Sequence, residues 1–544
     1  MFGLYLIVTV CMIICPISAL VVIIAVCLNY SILNRTYWSY LIFSLLGILC
    51  FYVGYKLAMP VIPFLVCREY AARILSFMNI QAEHVELRTY IISDLRTIGL
   101  CMFIEMAALY MTTRTPEVIM MDKERRRENE KLRVQKIDYI PKRSQLIVGV
   151  SGAGKTAYIS KSIEEILNKD PTAFIVIVDG KGSTEKYSLY YSCKLIARKM
   201  KQKLFILNGT TNRKLGGILY DFLEGLDTTD SMKDMVMSLM DDPTIKASAG
   251  SEHYKVMTER YLLELMEFMQ ESHIDVTLLN LMKIVDPSDL AAAMDNIKAD
   301  PDRKKAILNF AESAWRDVHA NIEKIKMFLR GQGSIIFTGK GKRMNIRKAY
   351  KQGASVLLVL ADEMSMPSLA PKLVQLVTMD IRNLVAARLT GTIDMNRKVY
   401  VLYDEFSSYT SSVPLVKSLY ARARSSDTIL TLATQSCSDL IALGKGWFDT
   451  IVDTADRFVV FRQNSGEAAE SAAAVFGTEI HVTDTARSSN LQSTGEASNT
   501  LDRTYVIPPD MIRNLKTNYG FLLDKTQKKG QQVKYFKNKF VQEV

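Results

Sequence analysis

The chain has 544 residues and a formal net charge of +11, and 49% of its residues are hydrophobic. That length gives room for two or three domains and a large core, while a mean hydropathy of +0.07 argues against a wholly soluble protein. The eight cysteines contain no Cys-x-x-Cys pair and no Cys/His grouping at metal-ligand spacing, and the five histidines are dispersed. A Cys/His metal centre or disulfide scaffold is therefore not expected.

The apolar excess sits at the front. Residues 2–29 are almost unbroken apolar sequence, the first charged residue is Arg35, and a second run covers 37–55 before Lys56 stops it. Each run is long enough to cross a bilayer. No basic segment precedes the first and the second follows directly, so two retained spans are expected rather than a cleaved leader. Joined by the short loop 30–36, they form a hairpin with both ends on one side. Lys56, Arg68, Arg73 and Arg125–Arg127 gather after it, which makes that side the cytoplasm. A third apolar stretch, 98–111, is short and interrupted by Glu105. It reads better as a membrane-proximal core helix than as a third span, which would leave the N-terminus outside. The expected division is a transmembrane hairpin over 1–66 and a membrane-proximal helical region with linker over 67–136.

Gly149-Val150-Ser151-Gly152-Ala153-Gly154-Lys155-Thr156 fits the phosphate-loop pattern G-x-x-x-x-G-K-[ST] at every fixed position. An apolar run at 145–148 precedes it, and helical apolar spacing (Ala157, Ile159, Ile163, Ile166, Leu167) follows. Strand, glycine loop and helix form the context the motif requires. Backbone N–H groups of Gly149, Ser151, Gly152, Ala153 and Gly154 surround the phosphates, and the new helix points its positive dipole end at the same charge. Lys155 reaches the β- and γ-phosphates, and the Thr156 hydroxyl ligates Mg2+. Bound ATP and Mg2+ are the expected ligands.

Further strands are predicted at 173–178, ending in Asp179-Gly180-Lys181-Gly182, and at 203–207. Strands alternating with helices predict a parallel α/β core with helices on both faces. From 226 to 331 the periodicity is helical throughout, an all-α insertion. The sheet is expected to resume at 334–338 and 355–360. A strand at 398–403 then ends in Asp404-Glu405. Beside a phosphate loop, Asp404 suits Mg2+ and Glu405 can polarise the attacking water. The next strand, 428–434, ends at Gln435, whose amide is expected near the γ-phosphate. Between these strands lie Arg422 and Arg424, and one of them can reach a neighbouring subunit's nucleotide. Residues 484–500, rich in Ser, Thr, Asn and Gly and without apolar period, read as loop or disordered. Segments 519–523 and 532–536 read as edge strands. Basic clusters at 123–143 and in the tail from Lys525 suit either anionic lipid or a nucleic-acid backbone.

These residues together resemble the type IV secretion coupling proteins, the TraG/TraD family. The likeness rests on the membrane hairpin, the phosphate loop, Asp179-Gly-Lys-Gly182, the helical insertion, Tyr403-Asp-Glu-Phe406, Ala433-Thr-Gln-Ser436 with Asp439-Leu440, and Arg503 with Ile507-Pro-Pro-Asp510. The resemblance implies an α/β, RecA-like P-loop NTPase domain (137–225 and 332–544) carrying an all-α domain (226–331). It implies a homo-hexamer on the bacterial inner membrane, with the motor in the cytoplasm. This ATPase would drive DNA, as a single-stranded transfer intermediate with its relaxase and relaxosome proteins, into the secretion channel. Lys155, Thr156, Asp404 and Glu405 carry over from the family pattern, and Gln435 matches its sensor. Arg424 falls at the trans-acting arginine, and Arg143 at a basic residue that precedes the loop. Two alternatives keep parts of this picture: a coupling ATPase recruiting mainly protein effectors, and a relaxase-binding membrane receptor with little hydrolysis. The chain departs from the family in having Gly180 where the family has Pro, and in lacking an Asn-Pro turn around 216–219.

Overall fold

The computed structural model describes residues 130–240, 249–409, 413–489, 492–527 and 532–539. The apolar runs at 2–29 and 37–55, the 98–111 stretch and the Arg125–Arg127 cluster lie outside the described residues. Among the described residues, no helix is long and apolar enough to cross a membrane.

The first strand, β1 (Gln145–Val148), leads through the glycine loop into α1 (Lys155–Lys169). Then come β2 (Phe174–Asp179), α2 (Leu189–Lys199), β3 (Leu204–Asn208) and the short β4 (Leu219–Tyr220). The strands are near-continuous apolar runs because both sheet faces are covered. Ile147, Ile175 and Ile177 pack with Ile159 and Ile163 of α1 and Ile196 of α2. Their neighbours Leu146, Val148, Val176 and Val178 point to the opposite core, as the two-residue period of a strand requires.

Among the described residues, five α-helices then follow without a strand: α3 (Thr229–Met237), α4 (Ala249–Glu271), α5 (Leu278–Ile284), α6 (Pro287–Ala293) and α7 (Pro301–Arg330). Their starts are written locally. Thr277 accepts from Asn280 N–H ahead of α5, and Asp300 accepts from the Asp302 and Arg303 N–H groups ahead of α7, which has Pro301 in its first turn. At 30 residues α7 is roughly 45 Å long. Its Val318, Ile322 and Ile325 share one apolar cluster with Tyr261 and Leu265 of α4 and with a face of the central sheet. β4 pairs in parallel with β5 (Arg343–Met344), so the helical block leaves and re-enters through a two-stranded ribbon.

The remainder comprises α8 (Ile346–Lys351), β6 (Val356–Leu360), α9 (Ala370–Leu389), β7 (Val399–Asp404), α10 (Val413–Arg422), β8 (Thr428–Thr434), β9 (Arg457–Val460), β10 (Thr478–Ser489), β11 (Gln492–Tyr505), β12 (Tyr519–Asp524) and β13 (Gln532–Lys537), with short helices between the later strands. The nine-stranded sheet has the order β13-β12-β9-β1-β8-β7-β2-β6-β3. From β9 to β3 every pairing is parallel, whereas β12 and β13 add antiparallel. The phosphate-loop strand is thus central, flanked by β8 and β9.

Three expectations change. Residues 334–338 form no strand. Local bonds from Ser334 N–H to Gly331 and from Ile336 N–H to Gly333 close a 3-10 turn at Gln332–Ile335, and Phe337 packs on Tyr220 and Phe222. A short apolar run does not distinguish a strand from a buried turn. Residues 484–489 and 492–500 are not loop: they pair antiparallel as parts of β10 and β11. Backbone pairing needs no apolar period, so a Ser/Thr-rich composition did not exclude it. Finally, β12 is interior, and of these two strands β13 alone lies at an edge, opposite β3.

Candidate nucleotide site

The phosphate loop is held at its base by its neighbours. Gly149 N–H donates to Thr434 O at the end of β8 (3.2 Å), and Val150 N–H donates to Arg462 O beyond β9 (3.0 Å). Gly152 (φ 74°) and Gly154 (φ 121°) occupy the left-handed side of backbone space, where a side chain is disfavoured. Ala153 N–H closes a turn onto Val150 O, and Ala153 is buried, whereas Ser151 and Gly152 are exposed. α1 starts at Lys155 with Gly154 as its N-cap and no side-chain cap, so its first-turn donors lack that partner. Lys155 is buried, and its ammonium donates to the Gly149 carbonyl. Burial pulls its pKa below the ordinary ammonium value, against the opposing pull of Glu405 and Asp404. Thr156, half-buried, follows in the same turn.

Opposite stand the acidic strand ends. Asp404 closes β7 and is 1% exposed. Burial raises its pKa, Lys181 and Lys155 oppose that shift, and its Oδ1 has no hydrogen-bond partner. Glu405 adopts a left-handed backbone (φ 56°, ψ 43°), which costs a non-glycine residue about 1 kcal/mol or more. The kink turns the chain at the strand end, and Glu405 lies 2.6 Å from the Lys181 ammonium. Asp179 is the register partner of Asp404 on the adjacent strand. Burial and the neighbouring Asp404 charge push its pKa up to about 7, against its bonds from Lys181 N–H and Gly182 N–H.

Gln435, exposed, follows β8, and a cleft of about 220 Å³ beside the loop is lined by Val150, Gln435, Asp439 and Gln463 among others. Ser436 and Asp439 form a reciprocal cap on the next short helix, so part of the Ala433–Leu440 motif is helix-start chemistry. The structure does not bring Arg143 to the phosphate loop. It precedes β1, the length of the strand separates the two, and its guanidinium pairs with Asp456 at 3.5 Å. Arg424 lies in the turn at Ala423–Ser426 ahead of β8, also at the sheet edge away from the loop of its own chain.

Sequence reasoning missed the residues behind the loop. Asn518 N–H donates to Ala153 O (2.9 Å), and Asn538 Nδ2 donates to Gly154 O (2.8 Å). Neither had a signal in spacing. The pairing of Lys181 with Glu405 was equally hidden, although the turn that carries Lys181 was visible.

The profile of the type IV secretion-system coupling protein DNA-binding domain matches residues 134–528. The chain belongs to this family. The matched stretch of the coupling protein spans the phosphate loop, the acidic pair and Asn518, and ends before Asn538. Among solved structures, the bacterial conjugative coupling protein TrwBdeltaN70 is 15% identical, with a TM-score of 0.48 over 74% of this chain and 87% of that one. The plasmid coupling protein TrwB in complex with ADP and Mg2+ is 14% identical, with a TM-score of 0.47 over 76% and 92%. VirB4 of Thermoanaerobacter pseudethanolicus is 12% identical, with a TM-score of 0.44 over 73% and 90%. No curated protein sequence matches the chain.

Proposed function

We propose that this coupling protein is an ATPase that drives DNA into a type IV secretion channel. The observation that carries the reading is the meeting, at one sheet edge, of the uncapped start of α1, the buried Lys155, and Asp404 with an unpartnered carboxylate oxygen. These groups fit a nucleotide triphosphate and a divalent cation. Lys155 and the first turn of α1 bind and orient the phosphates. Thr156 and Asp404 hold Mg2+, which when bound supplies positive charge to the phosphate oxygens. Glu405, buried beside them, takes a proton from the attacking water. Gln435 reports the occupied γ-position to β8.

The position of Arg424 in the backbone turn ahead of β8 supports a role at a neighbour's site in a hexamer. The charge of +11 and the family's DNA-binding description support nucleic acid as cargo. The apolar runs at 2–29 and 37–55 support anchoring in a bacterial inner membrane with the motor in the cytoplasm. A relaxase with its relaxosome and the channel components are the partners this role requires. The succession of helices from α3 to α7, with no strand among the described residues, supports an all-α domain over 226–331, set within a motor of 137–225 and 332–544.

The test is ATP turnover by the purified full-length protein, with and without single- or double-stranded DNA, beside Lys155→Ala. Turnover stimulated by DNA and lost in the variant supports the reading. Turnover indifferent to both DNA forms overturns the DNA-driving part, and equal turnover by Lys155→Ala overturns the site.

A further inference from the structure

The turn after β2 and the kink after β7 emerge side by side, because Asp179 and Asp404 are in register on adjacent parallel strands. Three local features aim that turn. The Asp179 carboxylate accepts from Lys181 N–H at 3.0 Å, which folds the backbone back on itself. Gly180 lies against the buried Tyr409, so closely that any Cβ there would meet the tyrosine ring, with Cζ at 2.9 Å. The left-handed backbone at Glu405 turns the chain just past Asp404. The result is the 2.6 Å pair between the Lys181 ammonium and Glu405 Oε1. Its two partners differ: the Glu405 side chain is 6% exposed and that of Lys181 39%.

A carboxylate this buried requires a counter-charge. Lys155 is committed to the Gly149 carbonyl and to the phosphate position of its motif. Lys181 supplies the remaining cation. We propose that Lys181 is a positioning residue for hydrolysis: it holds the Glu405 carboxylate at the phosphate-loop edge, ready for water, and takes no part in binding nucleotide. This rests on the reading of Glu405 as the group that orients water. Because Lys181 is the solvent-facing partner, the pair can open from its side without unpacking the sheet.

The experiment uses the purified full-length protein and four variants: Lys181→Met, Lys181→Arg, Glu405→Gln and the double Lys181→Met/Glu405→Gln. ATP hydrolysis gives kcat and KM, and a fluorescent ATP analogue gives affinity. Lys181→Met is expected to lower kcat at least roughly tenfold while KM and affinity stay within about twofold of wild type. Lys181→Arg, which keeps the cation, restores most of kcat and guards against a folding defect. In the Glu405→Gln background, Lys181→Met has no further effect, because the two act as one unit. Unchanged kcat in Lys181→Met overturns the proposal, as does an additive double variant. A rise in KM at constant kcat also overturns it, since Lys181 would then bind phosphate. Failure of the underlying reading looks different: Glu405→Gln itself would hydrolyse ATP like wild type.

Discussion

The side-chain amide of Asn538 donates to the carbonyl of Gly154 at 2.8 Å across 384 residues of sequence. Through it, and through Asn538 N–H to Asn518 O and Asn518 N–H to Ala153 O (2.7 and 2.9 Å), the last strands of the sheet brace the back of the phosphate loop. Asn538→Ala removes a buried bond worth about 1 kcal/mol. The expected outcome is a KM for ATP raised about three- to tenfold with kcat little changed. An unaltered KM, measured at saturating DNA, would show that the brace is irrelevant to nucleotide binding.

Asp404 is a buried carboxylate with one oxygen unpartnered and another carboxylate, Asp179, in register beside it. Its charge destabilises the protein without its cation. Asp404→Asn is therefore expected to melt at a higher temperature than wild type in Mg2+-free buffer. With Mg2+ and ATP it is expected to hydrolyse on the order of a hundredfold more slowly. Thermal melts with and without Mg2+, beside turnover, check both halves. A lower melting temperature would mean that the carboxylate is paired.

Gly180 explains one departure from the family pattern. A proline there carries the Cβ for which the Tyr409 ring leaves no room, so the tyrosine and the glycine belong together. Gly180→Ala should destabilise the protein by about 1–3 kcal/mol through overpacking, and adding Tyr409→Phe should recover part of the loss. Denaturant midpoints of the single and double variants decide it. Equal midpoints for wild type and Gly180→Ala would contradict the contact.

Asp380 of α9 is wholly buried, accepts from Ile346 N–H (2.9 Å) and Tyr220 OH (3.2 Å), and has its pKa pushed by burial up to about 6. A carboxyl raised in the folded state binds its proton more tightly there than in the unfolded chain. Its contribution to stability is full below about pH 4 and is lost as pH rises through about 6, a swing on the order of 3 kcal/mol. Asp380→Asn should lack that swing. The melting temperature of wild type should thus fall relative to the variant between pH 4 and pH 7. A constant difference across that window would refute the assignment.

The sequence by itself determined the parts whose causes are local. The loop Gly149–Thr156, the apolar strands around it, the acidic pair Asp404-Glu405 and the strand-to-turn position of Gln435 were legible because each is a short run with its own backbone chemistry. The helical block was legible for the same reason, since period and caps are written within each helix. The tertiary structure alone decided which strand ends stand together. β8 lies between β1 and β7, Asp179 beside Asp404, Lys181 against Glu405, and Asn538 behind Gly154; these neighbours are tens to hundreds of residues apart. It also separated Arg143 from the loop, because a strand carries its two ends to opposite edges of the sheet. Side-chain pattern misled at 334–338 and in the described parts of 484–500, where backbone hydrogen bonding outweighed it. Spacing along a chain records what a segment can become. Register between strands, set by burial over the whole sheet, fixes what it meets.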